Sequence, residues 1–351
     1  MAPDAEAKLA RPEDEAGPSV MLTIAPAGVQ LRCAPGASLL DTAVSQGFFP
    51  KHSCRRGECN SCEARVIAGE VAYPAGFIPE GVRPGHCLTC VARPVTDVTI
   101  EAPEVSPIPG RRVVQAPARV AQVRRVSADV AIVSLHVQGG TDFSFSPGQY
   151  MDVILRDGTR RSYSMANAPD TQGTLEWHVR AMPGGRFSPH VYEKLKPRDV
   201  LRLEGPFGAF ALQDSNAPAI LLASGTGYAP IASFMRSHHA ALARRGATLY
   251  WGGRRKEDLY AYEEAALWAT LGERLRFVPV LSEPDGPWTG RTGFVHEAVA
   301  CDFPDLSAHE VYACGNPLMV DAASHVLTRN NGLLPARFHS DAFITAIKPA
   351  R

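Results

Sequence analysis

The chain has 351 residues, of which 45% are hydrophobic and 21% are charged, an ordinary composition for a globular protein. Lysine plus arginine equals aspartate plus glutamate, at 36 each, which argues against nucleic acid or an anionic membrane as the main partner. No apolar run approaches the ~20 residues that span a bilayer. The acidic start lacks the apolar core of a signal peptide, so we expect a cytoplasmic protein, and a monomer.

Patterns along the chain predict three domains. Alternating apolar residues and one helix-like stretch mark the first, and short alternating strands separated by turn residues mark the second. Apolar strands that alternate with helices mark the third. The predicted units are a disordered tail (1–20), the first domain (21–103), a proline-rich linker (104–115), the second domain (116–213) and the third domain (214–351).

These patterns predict a multidomain fold of the α+β and α/β classes. In the first domain we expect strands at 21–24 and 29–33 and a helix at 36–46. The second domain should be an antiparallel barrel or sandwich, because its strands follow one another at short intervals. The third should be a doubly wound parallel sheet with a helix at 231–244.

Five of the eight cysteines crowd one stretch of the first domain, and such clustering indicates a metal site rather than disulfides. Cys54, Cys59 and Cys62 have the x4 and x2 spacing of [2Fe–2S] ligands, and a distant fourth cysteine would complete the set. A structural zinc ion also takes four cysteines, but zinc sites usually use two Cys-x2-Cys pairs. Cys87 and Cys90 both qualify as the fourth ligand.

A resemblance decides between these two cysteines. Residues 86–98, His-Cys-Leu-Thr-Cys-Val-Ala-Arg-Pro-Val-Thr-Asp-Val, are similar to the closing segment of plant-type ferredoxins, whose ligand is the cysteine of Leu-Thr-Cys. The resemblance implies that Cys87 is a small buried apolar residue. The implied cluster ligands are Cys54, Cys59, Cys62 and Cys90.

Arg161-Ser-Tyr163-Ser164 begins a predicted strand of the second domain. Tyr163 offers a flat aromatic surface to a flavin, Ser164 a hydrogen bond near its reactive nitrogen, and Arg161 a cation for its pyrophosphate. The segment resembles the flavin motif of the ferredoxin–NADP reductase superfamily. Accompanying segments at 147–150, 184–188 and 205–208 match as well.

The resemblance implies that the bound flavin is FAD. It also implies that the turn Gly184-Gly185-Arg-Phe-Ser188 presents backbone N–H groups to the FAD pyrophosphate, as anion-binding turns do.

Residues 225–230, Gly225-Thr226-Gly227-Tyr-Ala-Pro230, follow an apolar strand and precede a helix, which suits a dinucleotide pyrophosphate at the helix N-terminus. The motif is not a full Gly-x-Gly-x-x-Gly, so alone it is weak. It resembles the Gly-Gly-Thr-Gly-x-Ala-Pro segment of the same superfamily, with Ser224 in place of the first glycine.

Two later segments also resemble that superfamily. Cys314-Gly315-Asn316 is similar to the segment that lies by the nicotinamide, and Phe343 ends a segment whose aromatic residue lies over or beside the flavin. The resemblance implies nucleotide contacts for Gly315 and Asn316. The implied catalytic residues are Ser164, Cys314 and Phe343.

The three signatures occur in the order cluster, flavin, nucleotide. This order resembles the reductase components of multicomponent bacterial oxygenases, and the residues resemble still more the reductase of 3,6-dideoxyhexose synthesis. The implied fold is a β-grasp ferredoxin domain, a Greek-key flavin barrel and a Rossmann-like nucleotide domain.

The implied function is electron transfer. Hydride from NAD(P)H would reduce FAD, and single electrons would pass through the cluster to an acceptor protein, either an oxygenase component or a sugar dehydrase. The alternatives are a stand-alone diaphorase or quinone reductase and a non-catalytic zinc-binding module.

Charged residues suggest which nucleotide is used. The basic run at 254–256, Arg-Arg-Lys, follows the second strand of the third domain, where it could hold the 2′-phosphate of NADPH. Glu283, which follows the third strand, should repel that phosphate, so we expect NADH.

Basic residues also occur around the cluster loop, at Lys51, Arg55 and Arg56. We expect the acceptor to present an acidic patch that Arg55 and Arg56 attract.

Overall fold

The computed structural model describes residues 20–102, 105–107, 113–139 and 143–343. Three main sheets follow one another along these residues, and each has its own buried apolar core. The predicted disordered tail lies outside the described residues, except for Val20. Within the described ranges, no helix combines the length and the apolar character that crossing a bilayer requires.

The N-terminal part of the chain forms a mixed sheet with a helix packed against it. Its elements are β1 (Met21–Ala25), β2 (Val29–Arg32), α1 (Leu39–Ser45), β3 (Phe48–Pro50), β4 (Glu63–Ala68), β5 (Val71–Ala72), β6 (His86–Leu88), β7 (Arg93–Pro94), β8 (Val98–Glu101) and β9 (Val105–Pro107). The strand order is β2-β1-β8-β4-β6, with β1 and β8 parallel and the other neighbours antiparallel. This is the predicted β-grasp arrangement.

Helix α1 is shorter than the predicted 36–46. The Ser38 hydroxyl accepts the Asp41 backbone N–H at 3.0 Å and so caps the helix at its start. The predicted linker at 104–115 is described only in part. Within it, β9 pairs antiparallel with β3, and the next strand begins at Val114.

The middle of the chain forms an all-antiparallel sheet. Its elements are β10 (Val114–Arg125), β11 (Val130–Val137), β12 (Tyr150–Ile154), β13 (Arg160–Ser164), β14 (Thr174–Arg180), α2 (Ser188–Glu193) and β15 (Val200–Phe207). The strand order is β13-β12-β15-β10-β11-β14. A bridge between Met165 and Trp177 joins the two edge strands, so the sheet closes into a barrel rather than a sandwich.

The C-terminal part forms a parallel sheet flanked by helices. Its elements are β16 (Ala219–Ser224), α3 (Tyr228–Ser237), α4 (His239–Arg245), β17 (Ala247–Gly253), α5 (Tyr262–Thr270), β18 (Leu275–Leu281), β19 (Arg291–Thr292), α6 (Val295–Asp302), β20 (Glu310–Gly315), α7 (Pro317–Asn330) and β21 (Phe338–Ala342). The strand order is β19-β18-β17-β16-β20-β21. The topology reverses between β16 and β20, and such a switch point forms a ligand crevice at the carboxyl ends of the strands.

The predicted helix at 231–244 is two helices. Helix α3 begins three residues earlier, at Tyr228, and His238 separates it from α4. His238 has φ −116° and ψ 24°, outside the helical region. This interruption lets the chain turn before it enters β17.

Polar contacts join the barrel to the parallel sheet. Arg236 of α3 lies 2.7 Å from Glu176 of β14 and 2.7 Å from Glu264 of α5, and His178 bonds the Tyr260 hydroxyl at 2.8 Å. Burial favours the neutral form of Glu176, but hydrogen bonds from His178 and Arg236 outweigh it and lower its pKa to about 2. Glu176 is therefore charged at neutral pH and holds Arg236 in the interface.

Candidate functional site

The candidate cluster site is the loop between β3 and β4. Arg55 and Gly57 have positive φ angles of 54° and 74°. The loop curls so that the backbone N–H groups of Arg56 and Glu58 each lie 3.4 Å from the Cys54 sulfur. Hydrogen bonds of this kind favour the thiolate form, which is the form that binds iron.

Gly57 is also required by its neighbours. A Cβ at this position would lie 2.5 Å from Cζ of Phe77. The Phe77 ring therefore covers the loop closely, and a side chain at position 57 would displace it.

The four candidate ligands lie as two pairs. The thiols of Cys54 and Cys59 are hydrogen-bonded, and so are those of Cys62 and Cys90. Within each pair the shared proton lowers the pKa of one thiol, Cys54 (to about 5) or Cys62, and raises the pKa of the other, Cys59 or Cys90. Over the described part of the chain, no three His, Cys, Asp or Glu side chains are placed to hold one metal ion together. Two thiol pairs fit a cluster with two irons better than one tetrahedral zinc ion.

Cys87 lies in a different environment. Its side chain is fully buried in the core of the first sheet, and it pairs opposite Ala64. Burial raises its pKa to about 12. A neutral buried thiol packs like a small apolar residue, which is the role predicted for Cys87.

The cluster loop contacts the barrel directly. The Tyr150 hydroxyl donates to the Ser53 carbonyl oxygen at 2.6 Å, and the Gly208 N–H donates to Nε2 of His52 at 2.9 Å. Burial lowers the pKa of His52 to about 4, so the ring is neutral at pH 7. Since Nε2 accepts, Nδ1 carries the proton and donates to the Pro50 carbonyl oxygen at 2.6 Å.

Arg55 points into this same interface, so the expectation that it attracts an external acceptor is wrong. Its guanidinium lies 3.6 Å from the centre of the Phe207 ring and 3.4 Å from Asp152, and only 19% of its side chain is exposed. The cation is satisfied inside the molecule by an aromatic face and a carboxylate. Arg56 pairs with Glu58 at 3.1 Å, and its role toward an acceptor stays a prediction.

The flavin candidates lie where the barrel closes. Tyr163 and Ser164 end β13, and the Tyr163 ring stacks on Trp177 with 5.3 Å between centroids. Arg161 lies half-buried on the same strand and donates to the Arg160 carbonyl oxygen at 2.7 Å.

The predicted pyrophosphate turn lies next to Tyr163, because Phe187 of this turn packs 5.5 Å from the tyrosine ring. The Ser188 hydroxyl accepts the Met182 N–H at 3.0 Å. A Cβ on Gly185 would lie 2.6 Å from that hydroxyl, and Gly184 has a φ of 70°. Both glycines are needed for this tight turn, whose backbone fits the predicted role toward FAD.

The nucleotide candidates meet at the switch point of the parallel sheet. The predicted motif forms one 3-10 turn, Gly225–Gly227, with Thr226 at its centre, and Pro230 is buried in the first turn of α3. A Cβ on Gly227 would lie 2.1 Å from the Cys314 carbonyl oxygen. The turn after β16 therefore packs directly on the end of β20.

Ser224 joins these two strand ends. Its hydroxyl accepts the Asn316 backbone N–H at 2.9 Å, a bond that the glycine of the superfamily motif could not make. Gly315 has φ 129°, and a Cβ on it would lie 2.5 Å from the Ser224 carbonyl oxygen.

The remaining candidates lie at the same edge. Cys314 is fully buried, and burial raises the pKa of its thiol. The Phe343 N–H donates to the Gly315 carbonyl oxygen at 2.7 Å. The structure therefore brings Cys314, Gly315 and Phe343 together.

Two residues at this site were missed from the sequence. The Nη1 atom of Arg180, at the end of β14, would lie 2.9 Å from a Cβ on Gly225, and its Nη2 is buried with no hydrogen-bond partner among the described residues. The Trp251 indole N–H donates to the Gly225 carbonyl oxygen at 3.1 Å. Arg180 ends β14 and Trp251 lies within β17, and no motif marks either residue in the sequence, because both reach the glycine turn from other strands.

Three family models match the chain in the predicted order. The 2Fe-2S iron-sulfur cluster binding domain matches residues 22–95, the oxidoreductase FAD-binding domain residues 117–212, and the oxidoreductase NAD-binding domain residues 221–325.

Similar proteins span nearly the whole chain. It is 37% identical over 331 residues to the CDP-6-deoxy-L-threo-D-glycero-4-hexulose-3-dehydrase reductase of Yersinia pseudotuberculosis, covering 93% of this chain and 99% of that protein. It is 33% identical over 320 residues to the terephthalate 1,2-dioxygenase reductase component 2 of Comamonas sp., covering 89% and 94%. The crystal structure of the Amycolatopsis cytochrome P450 reductase GcoB superposes with a TM-score of 0.80 at 31% identity, covering 94% and 100%. These similarities confirm the predicted fold class.

Proposed function

Because this chain belongs to the family of reductases that join a [2Fe–2S] domain, an FAD-binding domain and a NAD-binding domain, we propose that it carries electrons from NADH to a separate acceptor protein. It is an NAD(P)H-dependent iron–sulfur flavoprotein reductase with these three cofactors. When bound, FAD takes a hydride and releases its electrons singly, and the cluster passes them on. The observation that carries the proposal is that Ser53 of the cluster loop contacts both the barrel and the last strand of the nucleotide sheet.

The following residue roles are part of this proposal. We propose that Tyr163 lies against the flavin, that Ser164 hydrogen-bonds near its reactive nitrogen, and that Arg161 and the 184–188 turn hold its pyrophosphate. The Gly225–Gly227 turn, Asn316 and Arg180 would hold the nucleotide pyrophosphate. Cys314 and Phe343 would position the nicotinamide against the flavin. The proposed cluster ligands are Cys54, Cys59, Cys62 and Cys90.

The domain boundaries at 21–103, 116–213 and 214–351 belong to the same proposal. A monomeric state and a cytoplasmic location stay predictions from the sequence.

We propose that the acceptor takes one electron at a time. Two classes of acceptor are implied by the names of the similar proteins: a dehydrase of deoxyhexose synthesis and an oxygenase component. The identity of 37% to the dehydrase reductase, against 33% to the dioxygenase reductase, favours the dehydrase.

Reconstitution with each class of purified acceptor tests this proposal. We expect NADH oxidation to rise saturably with the concentration of the dehydrase. The rise should vanish when Cys90 is replaced by serine, whereas ferricyanide, which can take electrons from FAD, should still be reduced. If the wild-type chain and the Cys90→Ser variant reduce quinones equally fast, and no acceptor protein stimulates NADH oxidation, the chain is a stand-alone diaphorase instead.

The structure brings the two conflicting nucleotide cues together. Backbone bonds at 3.0 and 2.9 Å join residues 282 and 283 to residues 253 and 254. The basic side chains already have partners, since Arg254 lies 3.6 Å from Asp258 and Arg255 lies 3.3 Å from Asp285. The backbone of Glu283 is bonded to that of Arg254. The 2′-phosphate of NADPH would therefore meet the Glu283 carboxylate and two arginines that already have acidic partners. This supports NADH.

We therefore expect a higher kcat/KM with NADH than with NADPH. Replacing Glu283 with glutamine should raise kcat/KM for NADPH by about fivefold, because one like charge at ~4 Å in water is worth ~1 kcal/mol. Glu273→Gln is the matched control, because Glu273 precedes β18 at its amino end whereas Glu283 follows the carboxyl end. It should leave kcat/KM for NADH and for NADPH unchanged. A wild-type preference for NADPH would contradict the proposal.

A further inference from the structure

One buried carboxyl group, that of Asp341, bonds a residue of the cluster loop. Asp341 lies in β21, and only 7% of the residue is exposed. Its Oδ1 atom accepts a hydrogen bond from the Ser53 hydroxyl at 2.8 Å, across 288 positions of sequence. The same hydroxyl lies 3.4 Å from the Ala342 carbonyl oxygen. Burying a carboxyl group is costly unless it is hydrogen-bonded, so this contact with Ser53 explains how the group is tolerated.

Burial also changes the acid strength of this carboxyl group. It raises the pKa of Asp341 to about 6, and the bond from Ser53 opposes the rise only in part. An apolar residue would pack in β21 without this cost, so the carboxyl group serves something other than the stability of the strand.

The bond lies between the two redox sites. Ser53 immediately precedes Cys54, a proposed cluster ligand, and Asp341 lies two residues before Phe343, the proposed flavin-side aromatic. The Tyr150 hydroxyl, from the barrel, donates to the Ser53 carbonyl oxygen at 2.6 Å. Elements of all three sheets therefore meet at Ser53.

We propose that Ser53 and Asp341 form a latch that fixes the cluster loop on the flavin side of the chain, and that Asp341 is a positioning residue for electron transfer from FAD to the cluster. This inference rests on the proposed function. In the step concerned, reduced FAD loses one electron, the cluster gains one, and no covalent bond is made or broken. The rate of such a step falls steeply with distance, so a small displacement of the loop slows it.

The latch is separable from the docking of the first domain. An apolar cluster of Leu40, Val44, Phe49, Tyr150 and Phe207 joins α1 and β3 to the barrel, and Arg55 lies over Phe207 in the same contact. These contacts remain when the Ser53–Asp341 bond is removed. A latch variant should therefore fold and keep its domains together while the cluster loop becomes looser.

The test uses the full chain with its cofactors loaded. In Ser53→Ala, stopped-flow bleaching of the cluster should slow severalfold, because the loosened loop lies on average farther from the flavin side of the chain. Reduction of the flavin by NADH should stay within about twofold of wild type. Asp341→Ala should slow cluster reduction to the same extent, and the double variant should be no slower than either single one, because all three lose the same bond.

Asp341→Asn provides a rescue, because its amide oxygen can still accept the Ser53 hydrogen bond, so cluster reduction should return to near the wild-type rate. Asp321→Ala, an exposed aspartate of α7, is the matched control and should change nothing. Hydrogen–deuterium exchange gives a readout independent of turnover, and protection should fall at 52–58 and 338–343 in the alanine variants.

Two outcomes would overturn the latch. One is cluster reduction at the wild-type rate in Ser53→Ala with unchanged exchange. The other is a failure of Asp341→Asn to restore the rate that Asp341→Ala loses. A wild-type chain that reduces its own cluster but no acceptor would overturn the proposed acceptor and leave the latch intact.

Discussion

Replacing Cys90 with serine is expected to abolish the [2Fe–2S] absorbance and electron paramagnetic resonance signals while FAD stays bound and reducible by NADH. A serine hydroxyl is far less acidic than a thiol and is a poor iron ligand. The substitution would remove one of the four proposed cluster ligands and leave the Cys62 thiol without its hydrogen-bonded partner. The barrel and the parallel sheet keep their own cores, so flavin reduction should continue.

The same loss is expected for the other three proposed ligands, Cys54, Cys59 and Cys62. The matched control is Cys87→Ala, three residues before Cys90, because Cys87 is fully buried in the apolar core. This change removes one sulfur from the core and should destabilise the first domain by about 1–2 kcal/mol without affecting the cluster spectrum.

Iron content and the reduced-state resonance signal, measured on both variants, decide the assignment. A Cys87→Ala protein without a cluster, beside a Cys90→Ser protein that retains one, would reverse the roles of the two cysteines. One zinc ion per chain in the wild-type protein, without iron, would show that the four cysteines form a structural zinc site instead of a cluster site.

Local spacing predicted three of the candidate cluster ligands, and local spacing together with a family resemblance predicted the Gly225–Gly227 turn. The intervals between Cys54, Cys59 and Cys62 reflect how a short loop surrounds a cluster, and Gly225–Gly227 reflects how closely a turn must pack after a strand. In both cases the geometry is set within a few residues, so the sequence contains it. The alternating strands of the barrel were predictable for the same reason.

Contacts between domains were not predictable in this way. Arg55 was expected to attract an acceptor because it stands in the cluster loop, but its guanidinium lies over Phe207, which comes 152 positions later. The bond between Ser53 and Asp341 joins residues 288 positions apart. Such contacts depend on how whole domains pack together. The residues next to either partner in the sequence therefore do not identify the other partner.

The interruption of the predicted helix at 231–244 shows a smaller limit of the same kind. The residues on either side of His238 have ordinary helix-forming composition, and the periodic pattern continues through the break. The chain turns there because α3 packs over the switch point while α4 leads back to β17, which is a requirement of the sheet rather than of the local sequence.

Substitution of alanine for Gly227 should reduce kcat/KM for NADH by about 100-fold. Gly227 has φ −58° and ψ −14°, values that alanine adopts without strain, so the expected effect is purely steric. The added Cβ would lie 2.1 Å from the Cys314 carbonyl oxygen, 2.5 Å from its carbon and 2.7 Å from Cα of Gly315. All three are backbone atoms, so the two loops must move apart.

That movement would occur at the proposed nicotinamide site. Forcing an extra methyl group into a packed contact costs ~1–3 kcal/mol, and a displacement of ~1 Å in a reacting geometry costs ~10²-fold in rate. Gly286→Ala is the matched control, because a Cβ on Gly286 would meet nothing within 4 Å. It should behave as wild type.

The effect of Gly227→Ala on kcat/KM for NADH is measured by NADH-dependent ferricyanide reduction. This assay does not require the cluster, so it reports on the reaction between NADH and FAD. FAD content and the dithionite-reduced cluster signal should be unchanged in Gly227→Ala. The proposed FAD turn at 184–188 and the cluster loop between β3 and β4 lie on other elements. A Gly227→Ala protein within threefold of wild type would show that the nucleotide does not depend on the packing between the β16 and β20 loops. Equal losses in Gly227→Ala and Gly286→Ala would instead point to a general loss of stability in the parallel sheet.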